Sequence, residues 1–118
     1  MSGFVSTDME GAVAVVRLSG EQDLLLSHDL TDTLGRLIET GQSVVVDLAG
    51  ATFVDSSILR SLVEGARWAD DAEVGYVIYL PNIETTFAVR RVVELTGLED
   101  AIPIVDDRAM ALEVVLER

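Results

Sequence analysis

The run Val44-Val45-Val46-Asp47-Leu48 constrains the fold of this chain more than any other segment. It is too short for a typical helix, and its β-branched residues favour an extended backbone. Strands that read as nearly continuous apolar runs are typical of parallel sheets that are covered on both faces. The run therefore predicts a strand in the interior of a mostly parallel sheet.

Four further strands are predicted from short apolar or alternating segments. They cover residues 3–8, 12–18, 74–80 and 102–105. The turn-compatible pair Glu10-Gly11 joins the first two strands into an antiparallel hairpin. Pro103 cannot donate a hydrogen bond to a neighbouring strand, so the last strand is predicted at an edge of the sheet.

Four amphipathic helices are predicted between and after these strands. They start at Ser27 as N-cap, near Ser56, around residue 83, and at Asp106 or Asp107 as N-cap. Their apolar stripes are Leu30, Leu34, Leu37 and Ile38, then Leu59, Leu62, Val63 and Ala66, then Val89, Val92 and Val93, and last Ala109, Leu112 and Leu116. Gly41 and Gly97 end the first and third helices. The order ββαβαβαβα predicts one α/β domain over residues 1–118, with a mixed, mostly parallel sheet of about five strands.

The composition limits the classes of partner. The 118 residues include 21 Asp and Glu but only 8 basic residues, all of them Arg, and the formal net charge is -13. This balance makes a broad phosphate-binding face hard to build, so neither nucleic acid nor an anionic membrane surface is an expected partner. The opening segment MSGFVSTDMEG lacks the basic and apolar regions of a signal peptide, and no apolar run reaches the roughly 18–20 residues of a membrane span. We therefore expect a cytoplasmic protein.

Enzyme chemistry has little support in this sequence. There is no cysteine, His28 is the only histidine, and the G-x-S-x-G motif of serine hydrolases is absent. The acidic residues Asp47, Asp70-Asp71 and Asp106-Asp107 do not have the spacing of a calcium loop, and there is no glycine-rich phosphate cradle. We expect no catalytic residue, no metal site and no cofactor, and an activity that consists of binding.

The loop predicted from Ala49 to Ser57 holds the residues that are most informative about function. In open α/β sheets, ligands and partners meet the loops beyond the carboxyl ends of the strands. Asp55, Ser56 and Ser57 precede the second helix, and each is a residue type that caps helices well. A phosphate on Ser57 would add about -1.5 to -2 charge at a helix start, where the dipole tolerates it, and would repel acidic groups of a docked partner.

Three segments together resemble the sulfate transporter and anti-sigma factor antagonist (STAS) domain, especially the stand-alone bacterial anti-sigma factor antagonists. They are LSGEQDLLLSHDLTDTL, VVVDLAGATFVDSSILRSL and VRRVVELTGLEDAIPI. The LSGEQD segment resembles the glycine-acid-x-Asp segment of that family, and the VVVDLAG segment resembles its phosphorylation loop. The likeness covers nearly the whole chain, and the VVVDLAG segment is its most specific part.

This resemblance implies a partner-switching mechanism in the regulation of transcription. The dephosphorylated antagonist binds an anti-sigma factor that is also a serine kinase, and a sigma factor is thereby released. Phosphorylation by that kinase ends the binding, and a phosphatase resets the switch. Matched residue by residue, the phosphoacceptor is Ser57, with Ser56 as the second choice. The expected partner-binding residues are Asp23, Asp55, Ser56, Ser57, Ile58, Arg60, Ser61 and Glu64.

One departure from the family pattern follows the two serines. The family usually has Gly next and often another Gly after Leu, whereas this chain has Ile58-Leu59-Arg60. Ile58 places a β-branched side chain where a close backbone approach is expected. Two interpretations stay open, a narrower choice of kinase or a member that binds without being phosphorylated. The alternative function is therefore a STAS-type scaffold or accessory subunit of a signalling or transport complex.

Overall fold

A computed structural model describes residues 3–117 and has the predicted order of elements. The strands are β1 (Phe4–Glu10), β2 (Val13–Gln22), β3 (Ser43–Val54), β4 (Tyr76–Tyr79) and β5 (Ile104–Val105). The helices are α1 (Leu24–Glu39), α2 (Ser56–Ala72), α3 (Phe87–Thr96) and α4 (Arg108–Val115). Short 3-10 turns, Glu84–Thr86 and Leu98–Asp100, stand before and after α3. The predicted α/β class and the order ββαβαβαβα are confirmed.

The five strands form one mixed sheet in the order β1-β2-β3-β4-β5. β1 is antiparallel to β2, and the other neighbouring strands are parallel. Val45 of β3 lies in register between Val15 of β2 and Val77 of β4. The apolar run thus occupies the middle of the sheet, and β5 lies at an edge, as both patterns predicted.

Helices cover both faces of β3. Val44 and Val46 belong to a large core that α1, α2 and α3 complete, whereas Val45 packs with Ala111 and Val115 of α4 on the opposite face. This two-sided burial explains why β3 reads as a continuous apolar run rather than an alternating one. Within residues 3–117, no helix combines the length and the apolar character needed to cross a bilayer.

Several strands differ in length from the prediction. β2 continues to Gln22 instead of ending at residue 18, and β3 continues to Val54 through most of the predicted loop. These extensions pair with each other as parallel strands, with register shifts around Ser19 and Glu21. Pairing between two distant segments therefore overrides the loop that the sequence predicts locally around Gly50. β1 ends at Glu10 instead of residue 8, and two strands are shorter than predicted: β4 covers 76–79 and β5 covers 104–105.

The first helix starts earlier than predicted. Its N-cap is Asp23, whose side chain accepts a hydrogen bond from the Leu25 backbone at 3.1 Å, so the prediction of Ser27 as N-cap is wrong. Ser27 instead lies inside α1, where its hydroxyl donates to the carbonyl of Leu24 at 2.7 Å. The extension of β2 to Gln22 is the cause, because the chain turns directly from that strand into the helix. At α4, Asp107 is the cap.

Two apolar stripes are rotated relative to the prediction. In α2 the buried residues are Ile58, Ser61, Leu62, Gly65 and Ala69, so that Leu59, Val63 and Ala66 are only half-buried. In α4 the buried residues are Ala111 and Val115, whereas Ala109 and Leu116 are exposed. Gly65 accounts for the rotation of α2, because its bare Cα allows the helix to approach the ring of Tyr76.

Candidate functional site

The start of α2 is organised by the carboxylate of Asp55. One oxygen, Oδ1, accepts hydrogen bonds from the backbone N–H groups of Ser57 at 3.0 Å and Ile58 at 3.1 Å. The hydroxyl of Ser57 donates to the same oxygen at 2.5 Å. Asp55 thus satisfies two of the backbone donors that a helix leaves free at its first turn, and it also fixes the Ser57 side chain.

The Asp55 carboxyl is ionised at neutral pH. Partial burial acts to raise its pKa, but hydrogen bonds from the Ser57 hydroxyl and from the backbone of Ile58, Ser57 and Leu24 outweigh that effect and hold the pKa below its ordinary value of 3.8. The site therefore has a fixed negative charge at the start of α2, where the helix dipole stabilises an anion.

The two serines of the motif lie in different environments. Ser56 is exposed, and within residues 3–117 no group forms a hydrogen bond with its hydroxyl. Ser57 is half-buried. Its hydroxyl donates a hydrogen bond to Asp55, and its carbonyl accepts one from the Ser61 hydroxyl at 3.1 Å. Of these two serines, Ser57 is therefore the one whose hydroxyl is held by a hydrogen bond.

The starts of α1 and α2 lie side by side. The backbone N–H of Asp55 donates to the carbonyl of Gln22 at 3.1 Å, and the next residue, Asp23, is the exposed cap of α1. The structure therefore brings Asp23 to the same edge of the sheet as Asp55 and the two serines.

Exposed apolar residues that the sequence analysis missed flank this edge. Leu24 and Leu25 are 60% and 82% exposed, and Phe53, just before Val54 and Asp55, is 46% exposed. A signal for them existed, because all three fell in segments predicted as loops, where large apolar side chains have no core to fill. Clustered apolar exposure of this kind marks interaction surfaces.

The predicted contact residues on α2 divide into two groups. Arg60 is exposed and Glu64 is half-buried, so both offer side chains to a partner. Ile58 is completely buried and Ser61 is 5% exposed, which contradicts their expected place on a contact surface. The reason is the orientation of α2, whose core-facing side includes Ile58 and Ser61.

Ser61 instead joins α2 to α1. Its hydroxyl lies 2.8 Å from the hydroxyl of Thr31 and 3.3 Å from the carbonyl of Ser27, both on α1. Buried hydroxyls that find such partners stabilise a helix contact rather than a partner interface. This contact fixes the two helix starts relative to each other.

Ile58 fits its position without strain. Its side chain is part of the main core, and Glu73 is the only residue other than glycine with a positive φ within the described range 3–117. The departure from the family pattern thus fills the interior of this chain and does not change the exposed surface beside Ser57.

An apolar groove opens next to Ser56. It has a volume of about 350 Å³ and runs between α2 and the turn after α3. Leu59 and Val63 line one side, Leu98 lines the other, and Arg60 is at the rim. The half-buried stripe of α2 thus continues the accessible surface of the site along the helix.

Metal ligation has no visible basis in the described residues. Among residues 3–117, no three His, Asp or Glu side chains come together as candidate metal ligands. His28 is exposed on α1.

Comparisons with known proteins point to one family. Residues 5–106 match the family model described as Mlab, STAS domain. The crystal structure of an anti-sigma factor antagonist from Mycobacterium paratuberculosis is similar at 26% identity and a TM-score of 0.78, over 98% of this chain and 95% of that chain. A search of curated protein sequences gave no match.

Two more distant structures share the fold. The Bacillus cell fate determinant SpoIIAA in its phosphorylated form has 20% identity and a TM-score of 0.66, over 92% of this chain and 96% of that chain. A chain in the Pseudomonas aeruginosa complex of the diguanylate cyclase SiaD with its activator SiaC has 11% identity and a TM-score of 0.63, over 88% of this chain and 89% of that chain. At these identities the likeness concerns the fold alone.

Proposed function

This chain belongs to the STAS domain family, and on that premise we propose that it is an anti-sigma factor antagonist. It binds an anti-sigma factor serine kinase, which frees a sigma factor for transcription, and phosphorylation of Ser57 by that kinase ends the binding. A phosphatase restores the binding form. The observation that supports this proposal most directly is the position of Ser57. It lies on the first turn of α2, and its hydroxyl donates a hydrogen bond to Asp55.

We propose a docking surface around this serine. It consists of Asp23, Leu24, Leu25, Phe53, Ser56, Ser57, Arg60 and Glu64. Burial of the exposed apolar side chains would supply the affinity, at about 25 cal/mol per Å² of apolar area removed from water. The polar residues around them would set the orientation of the partner. Ile58 and Ser61 are not part of this surface because both are buried.

Phosphorylation would oppose docking in two ways. A phosphate on Ser57 carries about -1.5 to -2 charges, and burying such an anion without a cationic partner is costly. The phosphate would also stand next to the Asp55 carboxylate, whose Oδ1 now lies 2.5 Å from the Ser57 hydroxyl, and the two anions together would repel acidic groups of a docked partner. Both effects destabilise the complex but leave the core of the domain untouched.

The chain itself contributes binding and no catalysis to this scheme. The kinase binds the nucleotide that supplies the phosphate. Because the proposed partners, a kinase and a sigma factor, regulate transcription, we propose that the chain acts in the cytoplasm. Nucleic acid and membrane lipid have no role in it.

A second candidate is a STAS-type scaffold or accessory subunit that binds without phosphorylation. The groove beside Ser56 favours it, because an apolar groove can hold a partner whether or not a phosphate is added. The likeness to a chain of a complex between a diguanylate cyclase and its activator gives a precedent for the fold in another signalling assembly. This candidate predicts a partner that is not a kinase.

Recovery of the native partner tests the two candidates. The tagged chain is used to isolate its partner, and the complex is then incubated with ATP and Mg²⁺ and followed by intact mass and peptide mapping. We expect one phosphate, on Ser57, and we expect the phosphorylated protein and Ser57→Asp to bind the partner more weakly. Ser6→Asp is the matched control, since it adds the same charge at an exposed serine of β1. Undiminished binding by both phosphorylated protein and Ser57→Asp would contradict the switch and support the scaffold.

A further inference from the structure

We propose that Asp55 is a positioning residue that selects Ser57 over Ser56 as the phosphoacceptor, by holding the Ser57 hydroxyl in a fixed orientation. This inference rests on the function proposed above and concerns the regulation of the same site. Exposure alone would favour the opposite choice, because Ser56 is exposed and Ser57 is half-buried.

Asp55 is itself held firmly, which is what a positioning residue requires. Its Oδ1 accepts from the backbone N–H groups of Ser57 and Ile58 at 3.0 and 3.1 Å. Its own backbone N–H donates to the carbonyl of Gln22 at 3.1 Å. Anchored on both α2 and β2, the carboxylate presents a fixed acceptor to the Ser57 hydroxyl at 2.5 Å.

This contact determines where the lone pairs of Ser57 lie. A serine hydroxyl has one proton to donate and two lone pairs. With the proton directed at Asp55, both lone pairs lie on the other sides of Oγ and are free for attack. The Ser56 hydroxyl has no such partner within residues 3–117, so it rotates among rotamers and must be ordered when the reaction occurs.

Oγ of Ser57 forms a bond to the γ-phosphorus of a nucleoside triphosphate held by the kinase, the bond from that phosphorus to the β–γ bridging oxygen breaks, and a nucleoside diphosphate leaves. The hydroxyl proton is lost from Oγ to water as the bond to phosphorus forms, while Oδ1 of Asp55 keeps the hydroxyl in its orientation. Because the pKa of Asp55 is held below its ordinary value, the carboxylate is a weak base, and its main contribution is to orient the hydroxyl.

Asp55→Asn separates this role from helix capping. Asn caps helices about as well as Asp, so this variant keeps the start of α2 but loses the charged acceptor. Asp55→Ser, which also keeps a capping side chain, is the second variant in case the first does not fold. Asp107→Asn is the matched control, because Asp107 caps α4 in the same way and lies outside the docking surface.

The assay uses the kinase recovered with the native chain, ATP and Mg²⁺, with rates from intact mass and sites from peptide mapping. For wild type and Asp107→Asn we expect phosphate on Ser57 only. For Asp55→Asn we expect kcat to fall about 10- to 100-fold with KM changed by less than about two-fold, because orientation acts on the transfer step. We also expect part of the phosphate on Ser56.

Different results would overturn the positioning role of Asp55 and the proposed function. Wild-type rate and wild-type site in both folded Asp55 variants would overturn the positioning role and leave the proposed function intact. A change confined to KM would likewise overturn it, since it would show a role in docking. Wild-type protein that takes no phosphate, or takes it on Ser56, would overturn the positioning role together with Ser57 as the switch.

Discussion

Gly65 of α2 packs directly against Tyr76 of β4. A Cβ atom at position 65 would lie 2.8 Å from Oη of Tyr76 and 3.0 Å from Cδ1 of Leu34. The Tyr76 hydroxyl is buried and donates to the carbonyl of Leu62 at 2.8 Å, so it cannot move away without loss of a hydrogen bond. This contact sets how α2 lies on the sheet, and therefore which side chains around Ser57 face solvent.

Gly65→Ala tests this contact. Alanine is favoured over glycine inside a helix by about 1 kcal/mol, but overpacking a tight core typically costs about 1–3 kcal/mol. Gly35→Ala is the matched control in α1, since a Cβ there would be 3.5 Å from Trp68, an ordinary contact. In urea unfolding we expect Gly35→Ala to stabilise the protein, and Gly65→Ala to be less stable than Gly35→Ala by about 1–3 kcal/mol. Equal free energies of unfolding for the two variants would contradict the tight contact.

Loss of the charge on Arg17 is expected to destabilise the fold through Asp47. Asp47 lies in the middle of the sheet, 7% exposed, and its Oδ2 is 3.5 Å from Nε of Arg17. Arg17→Met removes the ion pair with that carboxylate together with the pairs that Arg17 makes with Asp8 and Glu10, and we expect a loss of about 1–3 kcal/mol in the free energy of unfolding. Arg91→Met breaks only the exposed pair with Glu94 and should cost less than about 0.5 kcal/mol. Denaturant unfolding of both variants at neutral pH measures the difference, and equal losses would contradict it.

The element order could be predicted because apolar periodicity is a local property of the sequence. The run from Val44 to Leu48 sufficed to place β3 inside a parallel sheet. The end of β3 could not be predicted, because Gly50 and Thr52 are typical of loops. Only the pairing with the end of β2, a segment distant in sequence, keeps these residues extended.

The candidate site could likewise be predicted only where local sequence determines it. Its place at the start of α2 followed from the cluster Asp55-Ser56-Ser57, but all three residues are good caps, and composition could not choose among them. Asp55 is the residue that caps α2, and its position depends on the hydrogen bond from its backbone N–H to the carbonyl of Gln22. Ile58 was misplaced on the surface because the rotation of α2 depends on Gly65, whose neighbour Tyr76 is on another element.

Ser57→Ala is expected to raise the pKa of Asp55. The variant removes the hydroxyl donor, which stabilises the ionised carboxylate, while the backbone donors of Ser57 and Ile58 remain, so the pKa should move only part of the way back. A carboxyl with a depressed pKa stabilises the fold above its unfolded value, near 3.8, and this stabilisation is lost as the pH falls through the folded pKa. The stability advantage of wild type over Ser57→Ala should therefore fade in acid. NMR titration of the Asp55 carboxyl carbon measures the shift, and Ser56→Ala, which should leave the pKa unchanged, is the control.

Leu25 tests the docking surface without a change of charge. It is 82% exposed, and Leu95 on α3 is 74% exposed, so replacing either with serine removes similar exposed apolar area and should leave the free energy of unfolding within about 0.5 kcal/mol of wild type. The two differ in position, because Leu25 stands beside the capping residue Asp23 whereas Leu95 is outside the docking surface. We expect Leu25→Ser to weaken binding to the recovered partner by about 10-fold, as for an apolar residue at an interface, and Leu95→Ser to bind as wild type does. Isothermal titration calorimetry gives both affinities. If Leu95→Ser weakens binding and Leu25→Ser does not, the partner docks on α3, and the surface around Ser57 is not the interface.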